Sequence, residues 1–524
     1  MKRLTTLLFF SAFFLCTSVL FGQWTGDLQQ LLKTDSVDEQ RNLIEKLSSA
    51  QPPIGELLTE LSKAPLNDEK ESHELLSIEC KDGVKRPYCL YVPAPEKRTT
   101  ERPLFVYLHG GVTRSEIIKE PLKYAQRAPF LPLAKKLGWF HLVPFGQKGA
   151  AWWEQVGMAN VLSQIAKLKA KYSIDDDRVY LGGFSDGGSA AFCFAMTKPS
   201  TFAAFVALNG HMGVGSLDGD LSTFVGNMKQ TPIYAVTTDK DQLYPTTKML
   251  PTIRLAQLAD AQITYRTLSG THTFDYSDKE IPRIANFLKR SIRNPFSGAV
   301  DWETATKDFG RCHWIQILAL NPGEKKAHWH QEANLVLKSE QITIGFHEDG
   351  DFKGDGDKVK SLAKGDTVAR QIGLKEGDII VRGGQMKITN GDDLAKYKKS
   401  LKRGSPIALL VKRGEELIKL RGTIPPPEYY YLFKRIRPSA RVRAHLLGNQ
   451  LEIEASRAAK MRLFLCKELI EPGSEVEIIV NGKRVAKSVA TVDYAYLLKD
   501  FLQRRDRKNV HYGYLDFETD KTHR

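Results

Sequence analysis

The chain runs to 524 residues with a formal net charge of +15 and six cysteines. That length predicts more than one domain. Five of the cysteines lie beyond residue 22 at irregular spacing, which excludes a disulfide scaffold. The positive balance comes without a nucleic-acid recognition motif, so nucleic-acid binding is not expected.

The first residues set the expected location. Met1-Lys2-Arg3 is basic, Leu7 to Phe21 is a nearly uncharged apolar run, and Gly22 is a small residue before Gln23. This is the pattern of a signal peptide over residues 1–22. The run is short for a membrane span, and no later apolar stretch is long enough. The expectation is a secreted or periplasmic protein with no transmembrane span beyond this segment; an uncleaved anchor is the alternative. Residues 24–75 follow as a helical N-terminal segment, with Leu28, Leu31, Leu32 and then Leu43, Ile44, Leu47 at helical spacing. This segment is expected to pack on the body, with a lid or pro-region as the other reading.

Pro103 to Leu108 reads as a buried strand and ends in His109-Gly110-Gly111, whose flexible backbone can aim N–H groups at a developing oxyanion. Arg178 to Gly182 is a second strand. It runs into Gly183-Phe184-Ser185-Asp186-Gly187 and then a small, apolar, helix-like stretch to Met196. G-x-S-x-G at a strand-to-helix switch places a serine hydroxyl on a strained turn clear of the sheet. Pro232 to Thr237 is a third strand, followed by the acidic loop Thr238 to Pro245. Ile263 to Leu268 is a fourth, followed by Ser269-Gly270-Thr271-His272. Serine, acid and histidine thus occur in that order, each just past a strand end. His109 is expected to pack within its loop, and His211 to have no catalytic role, since it precedes the acid. Trp152-Trp153 reads equally as cleft wall or core.

These motifs resemble the α/β-hydrolase superfamily, closest to secreted esterases of the dienelactone-hydrolase, feruloyl-esterase and polyhydroxybutyrate-depolymerase type. The resemblance covers residues 76–292 and implies an α/β fold with a doubly wound, mostly parallel sheet. Carried onto this sequence, Ser185 is the nucleophile, His272 the general base and then acid, and Asp241, within Asp-x-Leu-Tyr-Pro, the residue that orients His272. Asp239 is the competing acid. Gly110, Gly111 and Asp186 would supply the oxyanion hole through their backbone N–H groups. No metal or organic cofactor is called for.

Gly373-Leu374-Lys375-Glu376-Gly377-Asp378-Ile379-Ile380, a helix-like stretch from Asn390 to Leu401 and the strand Ile407 to Arg413 resemble a PDZ domain over residues 338–424. The resemblance implies that Ile344, Gly345 and Phe346 form a loop holding a peptide C-terminus or partner protein. An acidic insertion, His347 to Asp357, departs from the pattern. As a calcium loop it would place Lys353 and Lys360 where oxygen ligands are needed, so a solvated hairpin loop is expected. His328-Trp329-His330 has metal-like spacing but no supporting cluster.

Alternating strands around Asn481-Gly482 predict a small all-β, sandwich-like module over 425–524, to which strands in 295–337 would contribute. Residues 431–524 carry a net +7. This suits contact with an anionic polymer or is simply a solvated basic surface.

The chain is therefore expected to be an exported serine hydrolase acting on carboxylic esters, with acylated polysaccharide among its candidate substrates. The rivals are a prolyl-oligopeptidase-like serine peptidase and a non-catalytic PDZ scaffold with a vestigial hydrolase.

Overall fold

The computed structural model describes residues 24–66, 70–94, 100–339 and 342–520. The expected signal peptide, residues 1–22, lies outside them. The chain divides into two compact units. One runs up to Leu335 and resumes at Phe433; the other is Val336–Leu432.

The first unit is built on an eight-stranded sheet. Its strands are β1 (Ser72–Glu79), β2 (Lys85–Val92), β3 (Arg102–Leu108), β4 (Phe140–Pro144), β5 (Ile174–Phe184), β6 (Ala204–Leu208), β7 (Ile233–Thr238) and β8 (Ile263–Leu268). The spatial order is β1-β2-β4-β3-β5-β6-β7-β8. β1, β2 and β4 pair antiparallel, and every pairing from β4 onward is parallel. Strands β4 and β6 are buried at every residue, as parallel strands covered on both faces must be. This is an α/β-hydrolase-like fold with a mixed sheet. The chain leaves β3 for β4 on one side and returns to β5 on the other. β3 and β5 therefore flank the switch point where an open α/β sheet gathers its chemistry.

The helix Asp186–Thr197 follows β5 directly and is buried from Gly187 to Thr197. Its closeness to the sheet needs glycine. A Cβ on Gly187 would stand 1.9 Å from the Leu108 carbonyl oxygen.

The N-terminal helices end at Leu61, and Ser72 already opens the sheet, so the segment assigned to 24–75 is helical over only its first part. Residues 72–79 become a strand because a turn with Gly83 at φ 74° folds them back onto β2. The buried faces of the helices, including Leu31, Leu47 and Leu57, join one core with Trp302, Ile317, Val442, Leu463 and Leu497.

That core lies between two further sheets. Ala299–Thr304 pairs with Ala440–Leu447 in a five-stranded sheet, and Ile315–Leu320 pairs with Ala458–Leu465 in a four-stranded one. The module is not all-β. Helix Tyr494–Arg504, capped by the Asp493 side chain, buries Leu497, Leu498 and Phe501 against the strands. It forms one unit with the hydrolase sheet. Arg293, beyond the last hydrolase helix, bonds both Asp177 at the start of β5 and Asp506 near the C-terminus.

In the second unit, Phe346–Glu348, Asp357–Leu362, Ile379–Gly383, Pro406–Arg413 and Glu416–Thr423 form one sheet in that order. Helices Val368–Gln371 and Gly391–Ser400 accompany it, over a core that includes Ile344, Val359, Ile380, Leu394 and Val411. The unit is wider than residues 338–424. Val336–Ser339 pairs with Glu428–Tyr431 and closes it as an antiparallel ribbon.

Candidate active site

Ser185 sits at φ 59° and ψ −120°, between the end of β5 and the first residue of the helix. A non-glycine residue in this region is strained, and strain of this kind is retained where surrounding contacts enforce it. Here the Ser185 N–H donates to the Leu208 carbonyl at 2.9 Å, which ties the turn to β6.

The loop after β3 passes directly beside the serine. A Cβ on Gly110 would lie 2.9 Å from Ser185 Cβ and 3.3 Å from its Oγ. Gly111 follows at φ 73°. The Val112 N–H donates to Asp186 Oδ2 at 2.9 Å, so the Asp186 side chain pins the loop above the helix N-terminus. The Asp186 N–H itself belongs to the first turn, where no intrahelical acceptor exists. Gly110 thus lies beside Ser185 Oγ, and Asp186 directly follows the serine.

His109 stabilises this loop from within. Its Nε2 accepts the Gly146 N–H at 3.1 Å, so Nδ1 carries the proton and donates to the Gly110 carbonyl at 2.8 Å. Burial holds its pKa below the usual histidine value. Trp152 is fully buried and donates Nε1–H to the His109 carbonyl at 2.9 Å. Trp153 is buried as well, so both indoles belong to the interior.

His272, on the loop after β8, bridges the other two side chains. Its Nε2 is 2.9 Å from Ser185 Oγ, and its Nδ1 is 2.7 Å from Asp241 Oδ2. Asp241 follows β7. Its Oδ1 accepts the N–H groups of Leu243 and Tyr244, each at 2.8 Å, and its Oδ2 also accepts the Asn209 amide at 2.8 Å. Burial pushes the Asp241 carboxyl up. The Asn209 amide, the Tyr244 N–H and His272 together outweigh that and hold it below the ordinary carboxylate value. Asp239 is exposed and accepts the Gly270 N–H at 2.9 Å, so it braces the histidine loop without touching His272.

Aromatic rings flank the histidine. Phe184 lies 5.1 Å from its ring and Tyr244 5.5 Å, centroid to centroid. Phe274 stacks on Phe184, and His211 lies 5.6 Å from Tyr244. His211 is pushed down to about 4, by burial first and then by Lys248, and is neutral at ordinary pH. Sequence reasoning missed Asn209 and Tyr276, whose hydroxyl donates to Asn209 Oδ1 at 2.6 Å. The one available signal was an asparagine ending an apolar strand, followed by glycine.

Other candidates fall elsewhere. His330 spans Glu303 and Ser456 at 2.9 Å each, a buried structural bridge. Among the described residues no cluster of metal-ligating side chains is found. In the second unit the Ile344 carbonyl accepts the Ala369 N–H at 2.7 Å, and Gly345 adopts φ 94°. Phe346 opens the edge strand, with the Lys398 ammonium 4.7 Å from its ring centroid.

Residues 129–292 match the profile of the Phospholipase/Carboxylesterase family. This segment is a serine-hydrolase domain of the carboxylesterase type. Among characterised proteins, the chain is 30% identical over 124 residues to a bifunctional acetylxylan esterase/xylanase, XynS20E, from Neocallimastix patriciarum. That match spans 23% of this chain and only 18% of the relative. Of solved structures, a thermostable esterase is similar over 42% of this chain and 63% of its own, at 22% identity and a TM-score of 0.36. A ferulic acid esterase is similar over 42% of this chain and 99% of its own, at 13% identity and the same TM-score. The fluorophosphonate-binding serine hydrolase FphF of Staphylococcus aureus covers the same shares at 16% identity and a TM-score of 0.34.

Proposed function

We propose that the chain is an exported serine esterase that cleaves carboxylic esters through an acyl-enzyme. The observation that carries this reading is the position of His272, with one ring nitrogen 2.9 Å from Ser185 Oγ and the other 2.7 Å from Asp241. As Ser185 Oγ attacks the ester carbonyl carbon, its proton passes to His272 Nε2. Asp241 keeps Nδ1 protonated and faces the imidazolium that results. The carbonyl oxygen becomes an oxyanion beside the Asp186 N–H and the Gly110-Gly111 backbone. A donor placed there lowers the barrier by roughly 3 kcal/mol. The proton on Nε2 then goes to the leaving alcohol as the C–O bond breaks. Water, losing a proton to His272, attacks the acyl-serine, and His272 returns that proton to Ser185 Oγ.

The substrate reading follows the characterised relative. Its description as an acetylxylan esterase favours short acyl groups on a polysaccharide. The unit Val336–Leu432 is read as a PDZ domain. Its loop Ile344-Gly345-Phe346 would receive a peptide C-terminus beside the edge strand Phe346–Glu348. Export rests on the basic-then-apolar start of the sequence. Among the described residues no helix is long and apolar enough to cross a membrane.

The test compares wild type with Ser185→Ala on p-nitrophenyl acetate, butyrate and octanoate, acetylated xylan and a proline dipeptide panel. Serine-dependent ester turnover without peptide cleavage is the expected result. Serine-dependent peptide cleavage would replace the esterase by a peptidase.

A further inference from the structure

The helix Asp186–Thr197 follows Ser185 and is closed at its other end by Lys198. At about 1.5 Å of rise per residue, its twelve residues place the two ends about 18 Å apart. Lys198 lines a cavity of about 470 Å³ that shares no residue with Ser185, Asp241 or His272. A volume in this range holds a sugar-sized ligand.

Five basic side chains line the cavity, Lys81, Lys169, Lys198, Arg311 and Arg504, against two carboxylates, Asp308 and Asp506. Some of this charge is neutralised within the protein. Lys169 pairs with Asp176 at 2.7 Å, and Arg504 with Asp500 and Asp506. Asp506 is in turn held by Arg293 at 2.5 Å.

Beside the exposed Lys81, Lys198 and Arg311 are the basic residues of the cavity without a close carboxylate. The Lys198 ammonium donates to the backbone carbonyl of Asp308 at 2.6 Å, a neutral acceptor. Arg311 reaches the carboxylate of Asp500 only at 3.4 Å; its other polar contact is the uncharged His511 Nδ1 at 3.0 Å, and its guanidinium carbon lies 3.9 Å from the Phe464 ring centroid. Burial first, then the nearby Arg311, push Lys198 down to about 8 despite Asp308. Burial is also the leading cause that lowers Arg311.

A second observation is independent of these charges. His313 is 4% exposed and stands between this cavity and a second one bordered by Arg293 and Asp301, and its Nδ1 has no hydrogen-bond partner among the described residues. Its backbone N–H is satisfied by Ser200 Oγ at 2.8 Å, so the orphan is the ring alone. Buried polar atoms are usually paired, and a bound ion is one of the groups that can pair such a ring nitrogen.

We propose that this cavity binds a ligand through an oxyanion group, a phosphate, sulfate or carboxylate held by Lys198 and Arg311 with His313 Nδ1–H as a further donor. Charge-assisted bonds from ammonium and guanidinium to such a group are the strong class of hydrogen bond, and the anion relieves the repulsion between the two cations. The site does not rest on the esterase reading.

The full chain tests this by thermal shift and calorimetric titration with sodium phosphate, sodium sulfate and sodium glucuronate, against sodium chloride at matched ionic strength. At least one oxyanion is expected to bind saturably at millimolar concentration or below. Phosphate or sulfate would assign a tetrahedral anion, and glucuronate alone a carboxylate. Lys198→Met should weaken that binding about tenfold or more, the loss of one charge-assisted contact. Ser185→Ala should leave it unchanged. Lys81→Gln, at an exposed position, should weaken binding severalfold and keeps the test open should Lys198→Met fail to fold. A response that chloride reproduces, or one that survives both lysine substitutions, would overturn the proposal.

Discussion

Asn209 Nδ2 lies 2.8 Å from Asp241 Oδ2, the same carboxylate oxygen that His272 Nδ1 reaches at 2.7 Å. The second hydrogen of that amide goes to Thr238 Oγ1 at 2.7 Å, and Thr238 in turn donates to the Thr271 carbonyl at 2.7 Å. Asn209 is fully buried at φ 45°. The residue therefore fixes the acid directly and the histidine loop through Thr238.

Asn209→Leu should lower kcat about 10- to 100-fold with little change in KM, the scale expected when a catalytic group is displaced by about an ångström. Its amide is the strongest of the contacts that lower the Asp241 pKa, so its loss raises that pKa. The acid limb of the pH–rate profile should then move to higher pH. A fall in kcat with an unmoved limb would reduce Asn209 to a packing role.

Gly110→Ala should reduce kcat about 100-fold or more and lower the melting temperature by a few degrees, the scale of one overpacked methyl. The new methyl meets Ser185 Cβ at 2.9 Å and forces the loop off its position, withdrawing an oxyanion donor. Thermal unfolding beside ester kinetics separates the two effects.

Arg293→Met should destabilise the first unit by about 3–5 kcal/mol, because Asp506 and Asp177 would keep charge without their buried partner. Arg293 is 5% exposed and Asp506 6%, so solvent does little to screen the loss. Denaturant unfolding of the full chain measures it.

Acid should unfold the same region. Burial pushes the Asp506 carboxyl up, but Arg293 foremost, with Lys169 and Arg504, holds it far below its value of 3.8 in an unfolded chain. A carboxylate depressed in the folded state contributes stability that is fully present above its unfolded pKa and is lost as pH falls toward the folded one. Stability should therefore drop steadily below about pH 4. Asp506→Asn should flatten that slope in unfolding curves recorded from pH 6 downward.

Much of the hydrolase sheet was legible because its strands are short, continuous apolar runs ending in glycine-rich loops, a local pattern. Ser185, Asp241 and His272 stood out for the same reason, and the structure brings their side chains together. The choice between Asp239 and Asp241 depends on which carboxylate turns inward, which two positions on one loop do not disclose. Asn209 was overlooked because an uncharged amide 32 positions before Asp241 carries no pattern in sequence. Helical spacing gave the buried face of Leu28 to Leu47 but not its partner, a core assembled from strands some 250 to 490 residues away. Helix Tyr494–Arg504 was hidden among strand-like segments on both sides.

The most direct measurement treats the intact protein with a fluorophosphonate and maps the adduct by peptide mass, while following p-nitrophenyl acetate turnover. One adduct is expected, on Ser185, with activity lost in step with labelling and no label or turnover in Ser185→Ala. An adduct on another residue, or ester turnover that persists in Ser185→Ala, would contradict the assignment of Ser185 as nucleophile.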